Sequence, residues 1–529
     1  MTKNRADEEH DKFVANKNLQ YVIVPASEKA LLPSSNRESH TKITNATDIP
    51  HQKTSSKRGI FHQIIAACAV LLLSAACGMP IGYSAVLLPQ LYNSTTTTIP
   101  IDVAKGSWIA SVHSLATPVG ALMSGSCADM FGRRKTLLYS VIPIISGWCL
   151  IAMSNSYYMI LIGRFITGSA VGVLGAPAQI YIAETAEPNL RSLLIGAPAF
   201  SYTNGILLVY ILGSSLEWRL VAWLSIVLPV LAAVALFLIP ETPSWLVRNN
   251  RSEKAFKALK FLRHNESTAQ SELTTIHERL DQEKVTTKTN ENIFRLCCQR
   301  AAYKPLFIVI VFSILQMFSG TFLVVFYAID IISEFGNSIE PKSAAILTSI
   351  VRCLCTLMIC FILLVVRRRL ITIISALGSG LSCLGLSLFM YYRQGQPNSQ
   401  LDVYVAITCL TCYIAFNTPL MVMPGIMVGE LFPAKIRGRT AGTMFACCNV
   451  ALFCLAKAFP VIKEAVKTRG VFLMFAIASF LAAIFTFLLQ PETKGRTLDE
   501  IEDYFNEKNW FWVNRSDRFR SNKKLTVKA

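Results

Sequence analysis

Charged residues are scarce in this chain. They make up 16% of its 529 residues, whereas 52% are hydrophobic. Soluble domains carry about 25% charged residues, and a soluble fold would have no place to hide so much apolar surface. The composition therefore excludes an ordinary soluble protein and predicts a membrane protein that has the lipid bilayer as a partner.

Acidic residues are fewer than basic ones. The chain has 33 Asp and Glu against 51 Lys and Arg, a formal net charge of +18. Such an excess occurs in nucleic-acid-binding proteins, but these carry a basic patch on a folded domain. Here the basic residues lie in the terminal segments and in particular short loops, so no nucleic-acid partner is expected.

Constellations for catalysis and metal binding are missing. Of the 15 cysteines, all but Cys297 and Cys298 lie inside apolar spans, which implies no disulfide framework. The sequence has no paired Cys/His metal spacing, no Ser/His/Asp set and no phosphate-binding loop. We therefore expect no enzyme, no metal and no cofactor.

Long apolar runs are abundant, and each can cross about 30 Å of hydrocarbon. Twelve of them predict an all-α membrane protein of twelve transmembrane helices in two six-helix halves. The predicted spans are 62–84, 106–128, 136–154, 157–180, 192–213, 219–239, 305–332, 343–366, 370–391, 402–428, 440–461 and 470–490. Residues 1–58 are polar and show no signal peptide near Met1.

These spans divide the chain into five segments. The segment between the halves is the only long charged stretch among the spans, and Phe256, Leu259 and Leu262 form an apolar stripe that predicts helices beside the membrane. The predicted segments are a cytoplasmic N-terminal tail (1–61), a first half (62–243), cytoplasmic linker helices (244–303), a second half (304–490) and a cytoplasmic tail (491–529).

Charge in the short loops orients the spans. Basic residues cluster in the loops after spans 2, 8 and 10, whereas most loops on the other side carry at most one. The positive-inside rule then places both termini in the cytoplasm of a multi-pass plasma-membrane protein. Asn93 begins an Asn-Ser-Thr acceptor that would face outward and carry a glycan. The clusters are Arg133–Lys135, Arg367–Arg369 and Lys435/Arg437/Arg439.

The two halves repeat three charged signatures in the same order at matching ends. Parallel repeats of this kind build the two rocking halves of many transporters. The matching pairs are Glu184 and Arg191 with Glu430 and Arg437, Pro240-Glu241-Thr242 with Pro491-Glu492-Thr493, and Arg133-Arg134 with Arg368-Arg369.

The chemistry of these residues favours a gate. A carboxylate and a guanidinium on adjacent helix ends can form charge-assisted bonds. Such bonds would hold the inner ends together when the cavity faces outward and break when it faces inward. The alternative is that the charges only set topology and anchor the helices at the interface.

With these residues the chain resembles the sugar porter family of the major facilitator superfamily, over about residues 62–503. Gly125-x-x-x-Asp129-x-x-Gly132-Arg133-Arg134 resembles the signature after the second span, and Gly163-Arg164 with Gly168 and Gly172 resembles the fourth-helix motif. The segments Pro240–Leu246 and Pro491–Leu498 resemble the signatures that end the halves, and Gly78–Ser84 is most similar to insect facilitated trehalose transporters. The resemblance adds Asp129 and Arg164 to the candidate gating residues.

The candidate solute-binding residues follow from the same resemblance. Family members carry Gln-Gln-x-Ser-Gly-x-Asn in the seventh helix, and here Gln316 and Ser319 remain of it. Asn449 stands at the position of an eleventh-helix Trp, and Arg352 at that of an eighth-helix Asn. A charge at that depth is costly in lipid. Arg352 is therefore predicted either to line the solute path, or to reach the outer surface by snorkelling or form a fixed pair with Glu334 or Asp330.

The resemblance implies transport down a gradient. Proton-coupled members carry an aspartate after Gly-Tyr in the first helix, and here Ser84 follows Gly82-Tyr83. A serine hydroxyl does not titrate at physiological pH. His113, in the second span, is interpreted as a core or cavity residue rather than a proton relay.

The leading hypothesis is a facilitative uniporter that moves trehalose or a hexose by alternating access. Because several amides and two indoles of the family pattern are replaced, a carrier of a polyol or a small organic anion stays open as an alternative, and so does a sensor that binds solute without moving it. A small-molecule solute is expected in each case, and the oligomeric state stays open.

Overall fold

The fold is known from a computed structural model. It describes residues 57–512 except 93–98, 100, 188, 189, 191–193, 195, 288–299, 328–330, 332–340, 395–399, 433–436, 495–499, 502, 503 and 506–509. The predicted glycan acceptor Asn93 and the predicted gating residue Arg191 lie outside these residues, and only the backbone of Arg437 is described.

Seven helices form the first half. Their apolar composition suits the bilayer, and α6 and α7 together form one span. Helix α1 runs for 36 residues, about 54 Å at 1.5 Å per residue. It begins five residues before the predicted start of its span at 62. The helices are α1 Lys57–Tyr92, α2 Val103–Phe131, α3 Arg133–Ala152, α4 Tyr157–Thr185, α5 Ala197–Ser215, α6 Trp218–Leu224 and α7 Val227–Leu238.

The linker and the second half supply the other helices. The linker forms α8 Pro243–Arg248, α9 Ser252–Arg263 and α10 Glu266–Thr287. The second half forms α11 Arg300–Phe318, α12 Leu323–Phe326, α13 Pro341–Val365, α14 Arg368–Tyr392, α15 Gln400–Leu431 and α16 Arg437–Leu489.

The twelve predicted spans are confirmed as those of a major facilitator fold. Nine stretches of the described chain are both long and apolar enough to cross a bilayer. One of them, Gly442–Leu489, has 48 residues and leaves helical geometry at Lys467, so it provides two spans. The spans α2 and α5 have the length but are more polar, because Ser, Thr and Gly are frequent in them.

Small residues let the helices of the first half approach closely. A Cβ on Gly120 of α2 would overlap the carbonyl oxygen of Ser169 on α4, and a Cβ on Gly168 of α4 would overlap that of His113 on α2. Without a hydrophobic drive between helices in lipid, such close packing stabilises their association. The fourth-helix glycine motif therefore sets the distance between α2 and α4.

The linker packs on the first half through a buried arginine. Arg263 of α9 is 3% exposed and donates to both carboxylate oxygens of Glu272 on α10, at 2.7 and 2.8 Å. It also donates to the carbonyl of Thr185, at the end of α4, at 2.9 Å. A bidentate pair of this kind is strong and directional, so Arg263 joins α9 and α10 to the membrane bundle.

The seventh span, predicted at 305–332, contains a break in its helix. Helix α11 ends at Phe318 and α12 begins at Leu323. Between them Gly320 has a φ of +88°, a backbone conformation that glycine adopts at little cost. Carbonyls freed by such a break need donors from neighbouring helices at this depth.

Candidate functional site

A large cavity lies between the two halves. Its volume is about 1130 Å³, and its wall takes residues from α1, α2, α4 and α5 of the first half and from α11, α13, α15 and α16 of the second. Arg368, Glu430 and Lys494 line it at one end of the bundle. We call this the basic end; it is the end at which α2, α4, α13 and α15 finish and α3 and α14 begin.

At the opposite end the halves are in contact. Lys457 of α16 donates to Ser107 Oγ of α2 at 2.8 Å and to the carbonyl of Ala104 at 3.3 Å. Its ammonium nitrogen also lies 4.5 Å from the ring centroid of Trp108. Tyr210 of α5 donates to the carbonyl of Val325 at 2.7 Å. The cavity is therefore closed at this end and reaches the basic end.

The polar side chains of the wall are neutral away from the basic end. Two of the four predicted solute-binding residues are among them, Gln316 of α11 and Asn449 of α16. Sequence reasoning missed several others, although polar residues inside apolar spans are the signal that could have found them. These are Ser74, Thr117, Gln179, Tyr202 and Ser313.

Ser319 and Arg352 are not in this wall. The Ser319 hydroxyl donates to the carbonyl of Gln316 at 2.7 Å and accepts from Asn417 Nδ2 at 2.9 Å. The Arg352 guanidinium, 4% exposed, donates to the carbonyl of Thr321 at 3.3 Å. Both side chains are thus engaged at the break of the seventh span. Asp330 and Glu334, the predicted alternative partners of Arg352, lie outside the described residues.

Asn417 of α15 holds the same break. Its Oδ1 accepts from Thr321 Oγ1 at 2.6 Å, and the neighbouring Tyr413 hydroxyl donates to the carbonyl of Ser319 at 2.7 Å. The sequence analysis did not single out Asn417. A buried amide in an apolar span was the available signal, since such groups need partners in lipid.

The charged signatures at the basic end form equivalent networks in the two halves. Glu241 accepts from the backbone N–H groups of Arg134 and Lys135 at the start of α3, at 2.9 and 3.4 Å. Glu492 accepts from those of Arg368 and Arg369 at the start of α14, at 3.1 and 3.3 Å. Each carboxylate satisfies N–H groups at a helix N-terminus and complements its dipole.

Ion pairs complete each network within one half. Arg133 pairs with Asp129 at 3.2 Å and with Glu184 at 3.4 Å, and Arg368 pairs with Glu430 at 3.1 Å. Among the described side chains, these carboxylates therefore find arginines of their own half while the cavity reaches the basic end. The side chains of Arg191 and Arg437, the other two residues of the predicted gate, lie outside the described residues.

Arg164 does not lie with the other predicted gating residues. It is fully buried in α4, and its Nη1 and Nε donate to the carbonyls of Pro80 at 2.5 Å and Ile109 at 3.2 Å. Its Nη2 donates to the hydroxyl of Ser84. Within the described part of the chain no carboxylate lies within 4 Å of it. Arg164 thus joins α1, α2 and α4 inside the first half.

Two halves of six spans around a cavity that is open at one end and closed at the other define a membrane carrier of the major facilitator type. The chain belongs to the sugar porter family of that superfamily: the family model described as "Sugar (and other) transporter" matches residues 65–505. Because members of this family are transporters, the chain is not an enzyme.

Relatives and solved structures agree with this assignment. The facilitated trehalose transporter Tret1-2 homolog of Drosophila simulans is 31% identical over 84% of this chain and 90% of its own length. The facilitated trehalose transporter Tret1 of Polypedilum vanderplanki is 30% identical over 85% and 90%. The proton:xylose symporter XylE bound to 6-bromo-6-deoxy-D-glucose superposes with a TM-score of 0.70, at 21% identity, over 84% of this chain and all of that one. An inward-open XylE from E. coli gives 0.66, at 21% identity, over 84% and 99%.

The contacts of Lys457 predict a measurable shift in conformation. Lys457→Met removes two hydrogen bonds, each contributing about 0.5–1.5 kcal/mol, and a cation–π contact of about 0.5–1 kcal/mol. We expect the closed end to open more often. Labelling of the cavity residue Cys77 by a membrane-impermeant thiol reagent from that side should rise at least about tenfold, read by mass spectrometry.

Lys105→Met is the matched control, because Lys105 is an exposed lysine at the same end of α2. It should leave the labelling of Cys77 unchanged. Equal labelling in the parent and in Lys457→Met would show that this contact does not hold the end closed.

Proposed function

We propose that the chain is a uniporter that moves a neutral sugar, trehalose or a hexose, down its gradient by alternating access. The observation that carries the absence of proton coupling is the environment of Arg164. Its guanidinium meets the hydroxyl of Ser84 and two carbonyls. At the position where the resemblance puts an acid in proton-coupled members, this chain has a group that does not titrate at physiological pH.

The cavity supports a neutral solute over an anion. Charged residues of its described wall lie at the basic end, whereas the deeper wall offers amide, hydroxyl and imidazole groups. Arg352, the residue that raised the possibility of an anion, is instead engaged at the break of the seventh span. Neutral donors and acceptors suit a polyhydroxylated solute, since each hydroxyl both donates and accepts. The names of the trehalose transporters among its relatives support a sugar.

The charges at the two ends fit the roles of gates. The contacts of Lys457 hold the opposite end closed, and the networks around Glu241 and Glu492 fix the helix ends that move with each half. In the proposed cycle Glu184, Glu430 and the arginines near them meet across the halves when the cavity faces the opposite end. By the positive-inside rule the basic end is cytoplasmic, in the plasma membrane, and Asn93 faces outward.

The test is solute uptake by the purified protein in proteoliposomes. We expect labelled trehalose or glucose to equilibrate across the bilayer, and an imposed proton gradient to leave the final level unchanged. Accumulation above the outside concentration that a protonophore abolishes would contradict uniport. Uptake of a polyol or an organic anion, with none of either sugar, would overturn the sugar assignment, and binding without any uptake would favour a sensor.

A further inference from the structure

His113 stands out among the residues of the cavity wall. It lies on α2, where it lines the cavity, and only 1% of its surface is exposed. Neither ring nitrogen has a hydrogen-bond partner among the described residues. A buried polar group without a partner costs about 1–3 kcal/mol. The large majority of buried side-chain polar atoms in proteins have such a partner, so the two nitrogens of this cavity residue need an explanation.

The surroundings of His113 leave its ring available. The Thr117 hydroxyl donates to the backbone carbonyl of His113 at 2.8 Å, so it does not serve the imidazole. The donors of the neighbouring Arg164 are directed to Pro80, Ile109 and Ser84. The close approach of Gly168 to the backbone of His113 fixes α2 against α4 at this point. The scaffold therefore positions the ring without using its nitrogens.

A second unsatisfied group belongs to a residue of the same cavity wall in the other half. Gln316 of α11 is 1% exposed, and its Nε2 has no partner among the described residues. The cavity therefore holds one buried and unsatisfied polar side chain from each half. A neutral imidazole has one donor and one acceptor, and an amide nitrogen has two donors. Together they match two hydroxyl groups of one solute.

We propose that His113 is the solute contact of the first half, hydrogen-bonding a hydroxyl of the neutral sugar while Gln316 bonds another from the second half. This inference rests on the proposed function. Both nitrogens of His113 and the Nε2 of Gln316 are inaccessible to water in this structure, so these side chains turn toward the solute as the halves approach each other around it.

The test compares variants of His113 in proteoliposome uptake. His113→Phe removes both nitrogens from a ring of similar size and should raise KM about five- to tenfold, the effect of one lost hydrogen bond with a partner left unsatisfied. His113→Gln keeps a donor and an acceptor, so its KM should lie between those of the parent and His113→Phe. The matched control is Ser114→Ala, which removes a buried and unsatisfied hydroxyl of the same helix outside the cavity wall. It should leave KM unchanged.

Deoxy analogues of the transported sugar show whether the contact is direct. In the parent, the analogue that lacks the hydroxyl bonded by His113 should bind about five- to tenfold more weakly than the sugar. In His113→Phe the sugar and this analogue should bind equally well. A KM in His113→Phe equal to that of the parent, or an undiminished loss for every analogue, would overturn the assignment of His113. Failure of the parent itself to transport any sugar would instead contradict the proposed function.

Discussion

Arg164→Leu is expected to lower sugar uptake at least about hundredfold. The side chain is fully buried in α4 and donates to carbonyls of α1 and α2. Losing two hydrogen bonds from a charged group costs about 1.5–3 kcal/mol each, and each 1.4 kcal/mol is a factor of ten. The cost falls on the junction of three helices that form the cavity wall of the first half, so the wall loses its geometry.

In this variant the loss of unfolding free energy should be smaller than the free energy that corresponds to the loss of uptake. Leucine also removes the cost of burying a guanidinium, which offsets part of the penalty. Arg164→Lys keeps the charge but loses the planar fork that reaches three acceptors, and it should recover only a small part of the uptake. The measurements are initial uptake rates in proteoliposomes and thermal unfolding of the purified protein.

Arg279→Gln is the control for Arg164, because it removes an exposed arginine of α10. It should change neither uptake nor unfolding. Uptake by Arg164→Leu at the level of the parent would show that the junction does not depend on the guanidinium.

Arg352→Met is expected to lower the maximal rate of uptake about tenfold or more while KM changes less than about twofold. Its guanidinium donates to the carbonyl of Thr321 in the break between α11 and α12. A hydrogen bond from a charged group contributes about 1.5–3 kcal/mol, and its loss frees a carbonyl at the point where the seventh span changes direction. The effect therefore falls on the movement of the break and not on the binding of solute.

Comparing variants of Arg352 distinguishes a role at the break of the seventh span from the predicted role in the solute path. Arg352→Lys keeps a donor for the carbonyl and should retain more of the maximal rate than Arg352→Met or Arg352→Asn. The control is Ser349→Ala, which removes a buried hydroxyl without a described partner from the same helix. A KM that rises in Arg352→Met at an unchanged maximal rate would place Arg352 in contact with solute.

The basic end shows the limit of sequence reasoning most clearly. The repeated spacing predicted that Glu184, Arg191, Glu430 and Arg437 bridge helix ends when the cavity faces outward, and this stays a prediction, because the side chains of both arginines lie outside the described residues. In the structure the described partners of the two glutamates are Arg133 and Arg368, from the loops after the second and eighth spans. The repeat was correct, since each half has an equivalent network. The choice of partner depends on which helix end lies beside which, and spacing along one helix does not contain that distance.

The cavity gives the same lesson for single residues. Depth along a helix can be counted in the sequence, and the depth of Arg352 showed that it needs a polar environment. That environment is the break of the seventh span, because α13 presents Arg352 to Thr321 and not to the cavity. The break was itself hidden in an apolar run, since Gly320 gives no signal distinct from that of other glycines in bilayer helices.

The sequence by itself determined the class of this protein. Apolar runs of bilayer length require spans, loop charge orients them, and the recurring charged signatures require two equivalent halves, because each property is local or periodic along the chain. Only the tertiary structure decided which polar groups meet. His113 and Gln316 are about two hundred residues apart in the sequence, yet both line one cavity because two separately packed halves face each other around it.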